Sequence, residues 1–322
     1  MTERERFHRA IRREETDRIP TFELVFFLTM ERYGKVHPYH RSYAQWNQMS
    51  AAERRLHIKD MARIYVDTAT DYGHDAIFVH FNPHNIENIL AVLSEIRELS
   101  GDRFSLMMHG DATLEIPTGE NMTEFAAMMY DEPEELLRRQ ERNLADVTAI
   151  AEAIAAHPGL LDGFALCSDY AFNANPFFSP DMFSELIAPI LERECAMYRS
   201  LGFYTVKHTD GNIMPILEQI VQCGPDALHS IDPQGGMDLA RVRELYGDRI
   251  ATIGNVNCGL LQTGTLEQVA EDVRRSVDQG MTREGRGYIF STSNCVYTGM
   301  ELERYEYMLR IFREYERSRR HT

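Results

Sequence analysis

Residues 203–212 read FYTVKHTDGN, a short apolar run that ends abruptly in polar side chains. The chain contains eight such runs, and several of them end in a residue suited to binding or chemistry. In chain order the runs are Ile19–Val25, Ala76–Val79, Phe104–Met108, Gly163–Cys167, Phe203–Val206, Ala227–Ile231, Ile250–Ile253 and Tyr288–Phe290. Because long helical patterns separate most of them, the sequence predicts an α/β protein, a (β/α)8 TIM barrel. Such a barrel builds its active site at the C-terminal ends of its strands.

Length and composition fit one barrel domain over residues 1–322. A chain of 322 residues with 43% hydrophobic content can bury one large core. The spacing of Phe7, Ala10 and Ile11 adds a short N-terminal helix within Thr2–Asp17. No apolar stretch approaches the roughly 20 residues of a membrane helix, and the first residues lack the apolar core of a secretory signal. The sequence therefore predicts a soluble, cytoplasmic protein.

The charge balance limits the classes of ligand. Asp and Glu number 50 against 34 for Lys and Arg, which gives a net charge of −16. A nucleic-acid-binding protein needs a basic face, and the only basic cluster is a short tail, Arg317 to His321. A polyanionic small molecule would also be repelled unless a local cationic pocket compensated. We therefore expect a small-molecule substrate and neither a nucleic acid nor a membrane as partner.

The densest polar cluster follows the fifth run, where His208 and Asp210 stand two residues apart. Strand residues two apart share a face, so both side chains point the same way. They could form part of a site, or they could merely hydrogen-bond each other at the barrel rim. Cys295, after the last run, adds a third group that can bind zinc, and three protein ligands with one open position are typical of catalytic zinc. Asp232, Cys258 and Cys295 form a rival set, and Asp210 is equally suited to be a general acid or base.

Other polar residues at run ends are predicted to serve the same site. Asp169 joins His208 and Asp210 as a catalytic candidate, although packing beneath its loop is an alternative. The substrate-binding candidates are His80, Asn82, Asp232, Asn255, Asn257 and Ser293. For several of these an ordinary structural role competes with the functional one. His80 could bond solvent in a loop, and Asp232 could cap a helix.

The chain resembles the uroporphyrinogen decarboxylase superfamily along essentially its whole length. The motifs that carry the resemblance are Asp17-Arg18-Ile19-Pro20, Phe178-Ser179-Pro180, Lys207 to Ile213, Ile231-Asp232-Pro233, Gly236-Met237-Asp238, Gly247 to Ile250, Gly254 to Asn257 and Gly287 to Cys295. The resemblance implies a single (β/α)8 barrel. It also implies one of two chemistries, decarboxylation of uroporphyrinogen or methyl transfer with corrinoid proteins.

The decarboxylase hallmarks are missing from this chain. The arginine pair that binds substrate carboxylates in the family is absent from the segment 23–32, and His80 stands where the family has its catalytic aspartate. Uroporphyrinogen carries many carboxylates, so a cleft that binds it needs cationic side chains. The resemblance therefore favours the methyltransferase branch.

Thiol-methylating members of that branch bind zinc through a His-x-Cys pair and a late cysteine. By this resemblance His208 matches the first ligand, Cys295 falls near the last, and Asp210 replaces the middle cysteine. An oxygen-richer site is better suited to polarise an ether or alcohol oxygen than to activate a thiol. We therefore expect a zinc-assisted methyltransferase that moves a methyl group between a small ether, alcohol, amine or thiol and a corrinoid (cobalamin) held by a partner protein. A uroporphyrinogen-type decarboxylase and a non-catalytic corrinoid- or tetrapyrrole-binding protein are the alternatives, and a homo-oligomer is compatible with the sequence.

Overall fold

One parallel sheet of seven strands, arranged in chain order, organises the computed structural model, which describes residues 1–320. Each strand pairs with the next through a parallel ladder. The strands are β1 Ala76–Val79, β2 Ser105–His109, β3 Gly163–Leu166, β4 Tyr204–Thr209, β5 Ala227–Ser230, β6 Ala251–Ile253 and β7 Tyr288–Ile289. The sheet curls into a TIM-barrel-like architecture in which the C-terminal ends of all seven strands lie on one face.

Helices separate the strands as the spacing of the runs predicts. They are α1 Glu3–Ile11, α2 Thr29–Tyr33, α3 Ala51–Tyr72, α4 Ile86–Ser100, α5 Met122–Asp131, α6 Pro133–Ala155, α7 Pro180–Met182, α8 Ala188–Ser200, α9 Leu217–Gln222, α10 Leu239–Tyr246, α11 Cys258–Thr263, α12 Leu266–Gly280 and α13 Leu302–Arg320. A π-helical turn, Phe183–Ile187, joins α7 to α8. Ser179 caps α7, since its hydroxyl accepts from the Met182 amide.

The first predicted strand, Ile19–Val25, is not confirmed as a regular strand. Its segment makes only isolated bridges, Thr21 with Phe290 and Phe26 with Val296. Pro20 has no N–H to donate, and the Thr21 amide donates to the distant Asp75 carboxylate at 2.8 Å instead of to a strand carbonyl. Backbone hydrogen bonds still tie the segment to both sides. Phe22 N donates to the Phe290 carbonyl and Phe290 N to the Pro20 carbonyl, and on the other side Asp75 N donates to the Thr21 carbonyl.

Apolar side chains fill the space on both faces of the sheet. β1, β3, β5, β6 and β7 are buried along their whole length, as expected for parallel strands covered on both faces. One core lies between the sheet and the outer helices. A second, inside the curl, includes Phe7 of α1, whose ring lies 5.6 Å from that of Phe22. The N-terminal helix therefore packs against the interior of the sheet.

The segment that follows the first predicted strand is partly helical. The aromatic-rich segment 28–49 contains α2 and two short 3-10 turns, Pro38–His40 and Trp46–Gln48. Within residues 1–320, no helix is both long and apolar enough to cross a membrane. The basic tail lies at the end of α13, and its last member, His321, is outside the described residues.

Candidate active site

Two neighbouring strands place the central histidine. His208 on β4 stands directly opposite His229 on β5 in the parallel ladder. Asp210 follows the last residue of β4, and Asp169 follows the end of the adjacent strand β3. Because parallel strands present their carboxyl ends at the same edge, these side chains meet at one point of the barrel mouth.

Asp169, His208 and Asp210 form the one group, among residues 1–320, whose geometry could hold a metal ion. One potential ligand atom from each residue lies within 4.8 Å of the others. His208 Nε2 lies 3.9 Å from Asp210 Oδ1, and Asp210 N donates to Asp169 Oδ1 at 2.8 Å. The structure thus brings together the three residues that the sequence predicts as catalytic.

Asp210 is anchored on both carboxylate oxygens. The Ser230 hydroxyl donates to Oδ1 at 2.7 Å, and the Asn294 amide donates to Oδ2. Burial raises the pKa of Asp210, and the charges of Asp169 and Asp232 act in the same direction, whereas His208 and Ser230 oppose them. A carboxylate held in this way is both oriented and able to retain a proton more readily than an exposed one.

The predicted third ligand, Cys295, lies beside this group and is not a member of it. Cys258 Sγ donates to the Cys295 carbonyl at 3.7 Å, and Cys295 N donates to Asn294 Oδ1 at 2.6 Å. Burial and the neighbouring Cys258 and Asp210 raise the pKa of the Cys295 thiol. In the rival set, Asp232 accepts from the backbone of Gly211 at 3.1 Å. Neither cysteine set is brought together as closely as the Asp169 group.

The substrate-binding candidates of the sixth to eighth runs are largely engaged with the protein's own chain. Asn255 is fully buried and donates to the Ile231 carbonyl at 2.8 Å. Asn257 caps α11 by accepting from Gly259 N at 2.8 Å, and Ser293 accepts from Cys258 N at 3.5 Å. Asp232, on its other oxygen, accepts from Gln234 N at 2.9 Å. These contacts position the loops of the mouth, and substrate binding by these residues stays a prediction.

The earlier candidates lie on the opposite side of the mouth, after β1. The His80 ring packs against Tyr39 with centroids 3.8 Å apart, and Asn82 donates to the Tyr39 carbonyl at 2.6 Å. Burial, together with His109, His84 and His40, lowers the pKa of His80 to about 4. Its buried Nδ1 has no hydrogen-bond partner within residues 1–320. His80 is therefore a neutral ring with one unused polar atom at the mouth.

Sequence reasoning missed His229, which is hidden inside the apolar run 227–231. Its ring is fully buried, and its Nδ1 lies 2.8 Å from Nδ1 of His208. Burial and the adjacent His208 lower the pKa of His229 well below its usual range, so the ring is neutral. A histidine within an otherwise apolar strand is the signal that could have identified it.

Glu23, like His229, is a buried ionisable group that lies behind the site. Its Oε2 accepts from the Thr292 hydroxyl at 2.6 Å, from Thr292 N at 3.2 Å and from the Ser291 hydroxyl at 3.2 Å. Burial raises the pKa of Glu23 to about 7, although these hydrogen bonds oppose the rise. Glu23 therefore titrates near neutrality inside the barrel.

The single lysine of the FYTVKHTDGN stretch is not free to bind an anion. Lys207 Nζ donates to Asp111 Oδ2 at 2.9 Å and to the Ser168 carbonyl at 2.8 Å. The Tyr170 ring covers it at 4.0 Å. Burial alone would raise the pKa of Asp111, but Lys207 and hydrogen bonds from Thr113 and Ser168 hold it at about 2. The ion pair neutralises the lysine beneath the mouth.

Exposed apolar side chains surround the opening. Phe27 stacks on His40 at 4.4 Å, and Phe172, which is 43% exposed, meets Phe177 edge-on. We call the exposed members of this set the apolar rim: Met30, Val36, Tyr39, Phe172 and Tyr297. Met30, Val36 and Tyr39 follow the segment 19–25, Phe172 follows β3 and Tyr297 follows β7, so these residues belong to the same face as His208.

Residues 112–315 match the family model described as uroporphyrinogen decarboxylase (URO-D). The match spans more than half of the 322 residues. The chain therefore belongs to the uroporphyrinogen decarboxylase family, and the resemblance indicated by its motifs is confirmed.

Solved structures extend the similarity to the whole chain. A methyltransferase from Methanosarcina mazei aligns over 98% of this chain and 99% of its own, with a TM-score of 0.74 and 16% sequence identity. A GH5_18 protein from Bifidobacterium longum subsp. infantis aligns over 94% of this chain and 79% of its own, with a TM-score of 0.51 and 13% identity. The 3-keto-D-glucoside 4-epimerase of E. coli aligns over 80% and 94%, with a TM-score of 0.50 and 12% identity. At such identities the likeness establishes the fold alone. Comparison with curated protein sequences gives no match.

Proposed function

We propose that this protein is a corrinoid-dependent methyltransferase that moves a methyl group between a small substrate and a corrinoid carried by a partner protein. The observation that carries the proposal is the convergence of Asp169, His208 and Asp210 within 4.8 Å at the ends of β3 and β4. Family membership and full-length structural similarity to a methyltransferase support it.

The donor set fits zinc. An imidazole nitrogen and two carboxylate oxygens are accepted zinc ligands, and three protein ligands leave one position for substrate. Zinc bound there would act as a Lewis acid toward the heteroatom that carries the methyl group. We propose Asp169 as the third ligand in preference to Cys295, whose protonated thiol lies outside the group.

The nitrogen and oxygen ligands also bear on the substrate. Carboxylate-rich sites prefer harder oxygen or nitrogen donors to soft thiolates. Among ethers, alcohols, amines and thiols, the methyl ethers and alcohols therefore fit best. In this proposal His208, Asp210 and Asp169 would hold the zinc toward which the substrate heteroatom is oriented. Asp169 also accepts from the backbone amide of Asp210 and so holds it in place, and the apolar rim excludes water.

The apolar rim supports a corrinoid protein as partner. Met30, Val36, Tyr39, Phe172 and Tyr297 are each at least 36% exposed and belong to segments on the face of the sheet that carries His208. Exposed apolar groups at the mouth of a polar site are typical of a surface that receives a large, flat ligand or another protein. A corrinoid presented by its carrier has that shape.

The decarboxylase alternative has the family name in its favour, but its chemistry fits this mouth poorly. Lys207, the lysine nearest the site, is already paired with Asp111. The three carboxylates Asp169, Asp210 and Asp232 would repel a polycarboxylate substrate. We expect no turnover of uroporphyrinogen, and coproporphyrinogen formation at ordinary enzymatic rates in an anaerobic assay would reverse this ranking.

The test combines metal analysis with an anaerobic methylation assay. The protein purified without chelator should contain about one zinc per chain, as a site with three protein ligands and one open position implies. Methyl ethers, alcohols, amines and thiols are then offered with reduced cobalamin, and methylation is followed by its visible spectrum. Methyl transfer from at least one donor supports the proposal. Cobalamin binding without transfer from any donor identifies a non-catalytic binding protein, and full activity of the metal-free protein excludes the zinc.

A further inference from the structure

The contact between His208 and His229 joins two nitrogens of the same kind. Nδ1 of each ring lies 2.8 Å from Nδ1 of the other, across the β4–β5 ladder. A neutral imidazole has one N–H and one lone pair, so one ring must donate and the other accept. Which ring donates decides whether Nε2 of His208 presents a lone pair or a hydrogen to the site.

The other nitrogen of His229 settles this choice. Nε2 lies 3.2 Å from the Thr292 carbonyl oxygen, which can only accept. It also lies 3.4 Å from the Ser291 hydroxyl, whose own hydrogen is donated to Glu23 Oε2 at 3.2 Å. Both neighbours of Nε2 therefore act as acceptors, and Nε2 must carry the hydrogen.

His229 is neutral on grounds of its surroundings. The ring is 0% exposed, and its hydrogen-bond partners are a carbonyl, a hydroxyl and another imidazole. An imidazolium buried without a carboxylate in contact is strongly disfavoured. With its hydrogen on Nε2, neutral His229 has its lone pair on Nδ1 and accepts from Nδ1 of His208.

We propose that His229 is a positioning residue that fixes His208 in the tautomer with hydrogen on Nδ1 and so directs the Nε2 lone pair of His208 into the active site. That Nε2 faces Asp210 Oδ1 at 3.9 Å, on the side of the Asp169 group. The inference deepens the proposed function, on which it rests for the role of His208. Histidines that bind metals are commonly oriented by a hydrogen bond to their second nitrogen, and here a second histidine supplies it.

The acceptor behind His229 is itself held rigidly. Thr292 bridges to Val256, and the next residue, Ser293, donates its amide to the Val256 carbonyl at 2.8 Å. The Thr292 amide and hydroxyl both donate to Glu23. The Thr292 carbonyl therefore keeps its direction, and the tautomer of His208 is determined by the backbone beyond β7 through one intervening ring.

A direct test is nitrogen-15 NMR of metal-free protein labelled in its histidines. Coupling across the hydrogen bond between the two Nδ1 atoms identifies the His208–His229 pair without any substitution. We expect the hydrogen of His208 on Nδ1 and that of His229 on Nε2. The opposite assignment for either ring overturns the proposal, whatever the protein's activity.

Paired variants test the consequence for the site. His229→Asn keeps an acceptor oxygen near the position of Nδ1, whereas the nearly isosteric His229→Leu removes it. We expect His229→Leu to weaken zinc binding about 10- to 100-fold, as loss of such outer partners does, and His229→Asn to stay close to wild type. Equal zinc affinity in His229→Leu and wild type, at equal thermal stability, overturns the proposal, as does equal weakening in both variants.

The proposed function and the role of His229 can be contradicted separately. If the wild-type protein binds no zinc and transfers no methyl group but shows the expected tautomers, the proposed function is wrong and the role of His229 in fixing the ring stands. If zinc and methyl transfer are present and the tautomers are reversed, the function stands and His229 is only a packing residue.

Discussion

Lys207 Nζ lies 2.9 Å from Asp111 Oδ2, and both side chains are almost completely buried beneath the mouth. The pair joins β4 to the loop after β2. The ammonium group also donates a hydrogen bond to the Ser168 carbonyl, which lies beyond β3. The buried ion pair therefore stabilises the strand ends that carry the site. It is not available to a substrate carboxylate.

Removing one member of this pair should be costly. We expect Lys207→Met to lower the free energy of unfolding by about 3 to 5 kcal/mol, because it leaves the Asp111 carboxylate buried without its partner. The double variant Lys207→Met/Asp111→Asn should recover part of the loss. Urea denaturation at neutral pH measures both values, and a single variant as stable as wild type contradicts the buried pair.

The same pair predicts a dependence on acid. The folded pKa of Asp111 is held at about 2, below the roughly 3.9 of an unfolded aspartate. A carboxyl with a depressed folded pKa stabilises the fold above its unfolded pKa, and this contribution is lost as the pH falls from about 4 toward 2. In Asp111→Asn this part of the acid destabilisation should be missing, as measured by urea denaturation over the same range.

The ligand set can be decided by two single substitutions. The geometry favours Asp169 with His208 and Asp210, whereas the sequence alone favours Cys295 as the third ligand. We therefore expect Asp169→Asn to reduce bound zinc strongly and Cys295→Ser to retain it. Elemental analysis of both proteins, with circular dichroism to verify folding, gives the answer. Loss of zinc in Cys295→Ser alone would identify His208, Asp210 and Cys295 as the ligands instead.

His208 is expected to be essential for activity and dispensable for the fold. It contributes little to the apolar core, so His208→Ala should abolish methyl transfer and still fold, with a melting temperature lowered by a few degrees because Nδ1 of buried His229 loses its partner. His157→Ala, in the exposed turn between α6 and β3, is the matched control and should behave as wild type. If a stably folded His208→Ala protein still methylates cobalamin, the active site lies elsewhere.

The repeated runs predict most of the fold because each pairs an apolar strand with a polar end. Each of the seven strands overlaps one of the eight runs, and β2 and β4 extend past their runs to His109 and Thr209. The exception, 19–25, contains Pro20, and the Thr21 amide is taken by the Asp75 carboxylate. That contact joins residues 54 positions apart, which the local pattern cannot reveal.

The site was accessible to sequence reasoning where a polar residue ends a run, as for Asp169, His208 and Asp210. It was not accessible where the role depends on register: His229 lies opposite His208 only because β5 pairs with β4 in one particular alignment. Asn255 and Asn257 show a different limit of the sequence pattern, which marks them as site residues. Both follow a run, yet in the structure they satisfy backbone groups, and the sequence cannot separate this use from ligand binding.

Glu23 provides the last prediction, on stability against pH. Its carboxyl is fully buried and has its pKa raised from 4.5 to about 7, mainly because burial disfavours the charged form. A raised folded pKa means that the folded state binds the proton more tightly than the unfolded state. The resulting stabilisation is present below pH 4.5 and is lost as the pH rises from about 4.5 to about 7.

Glu23→Gln keeps the shape of the side chain and cannot ionise. We expect wild type to lose on the order of 3 kcal/mol relative to Glu23→Gln between pH 5 and pH 8, since each pKa unit corresponds to about 1.4 kcal/mol. Urea denaturation of both proteins across this range measures the difference, and Glu98→Gln on the exposed side of α4 serves as the control. Parallel stability curves for wild type and Glu23→Gln would mean that Glu23 keeps an ordinary pKa, because its bonds to Ser291 and Thr292 would then compensate fully for its burial.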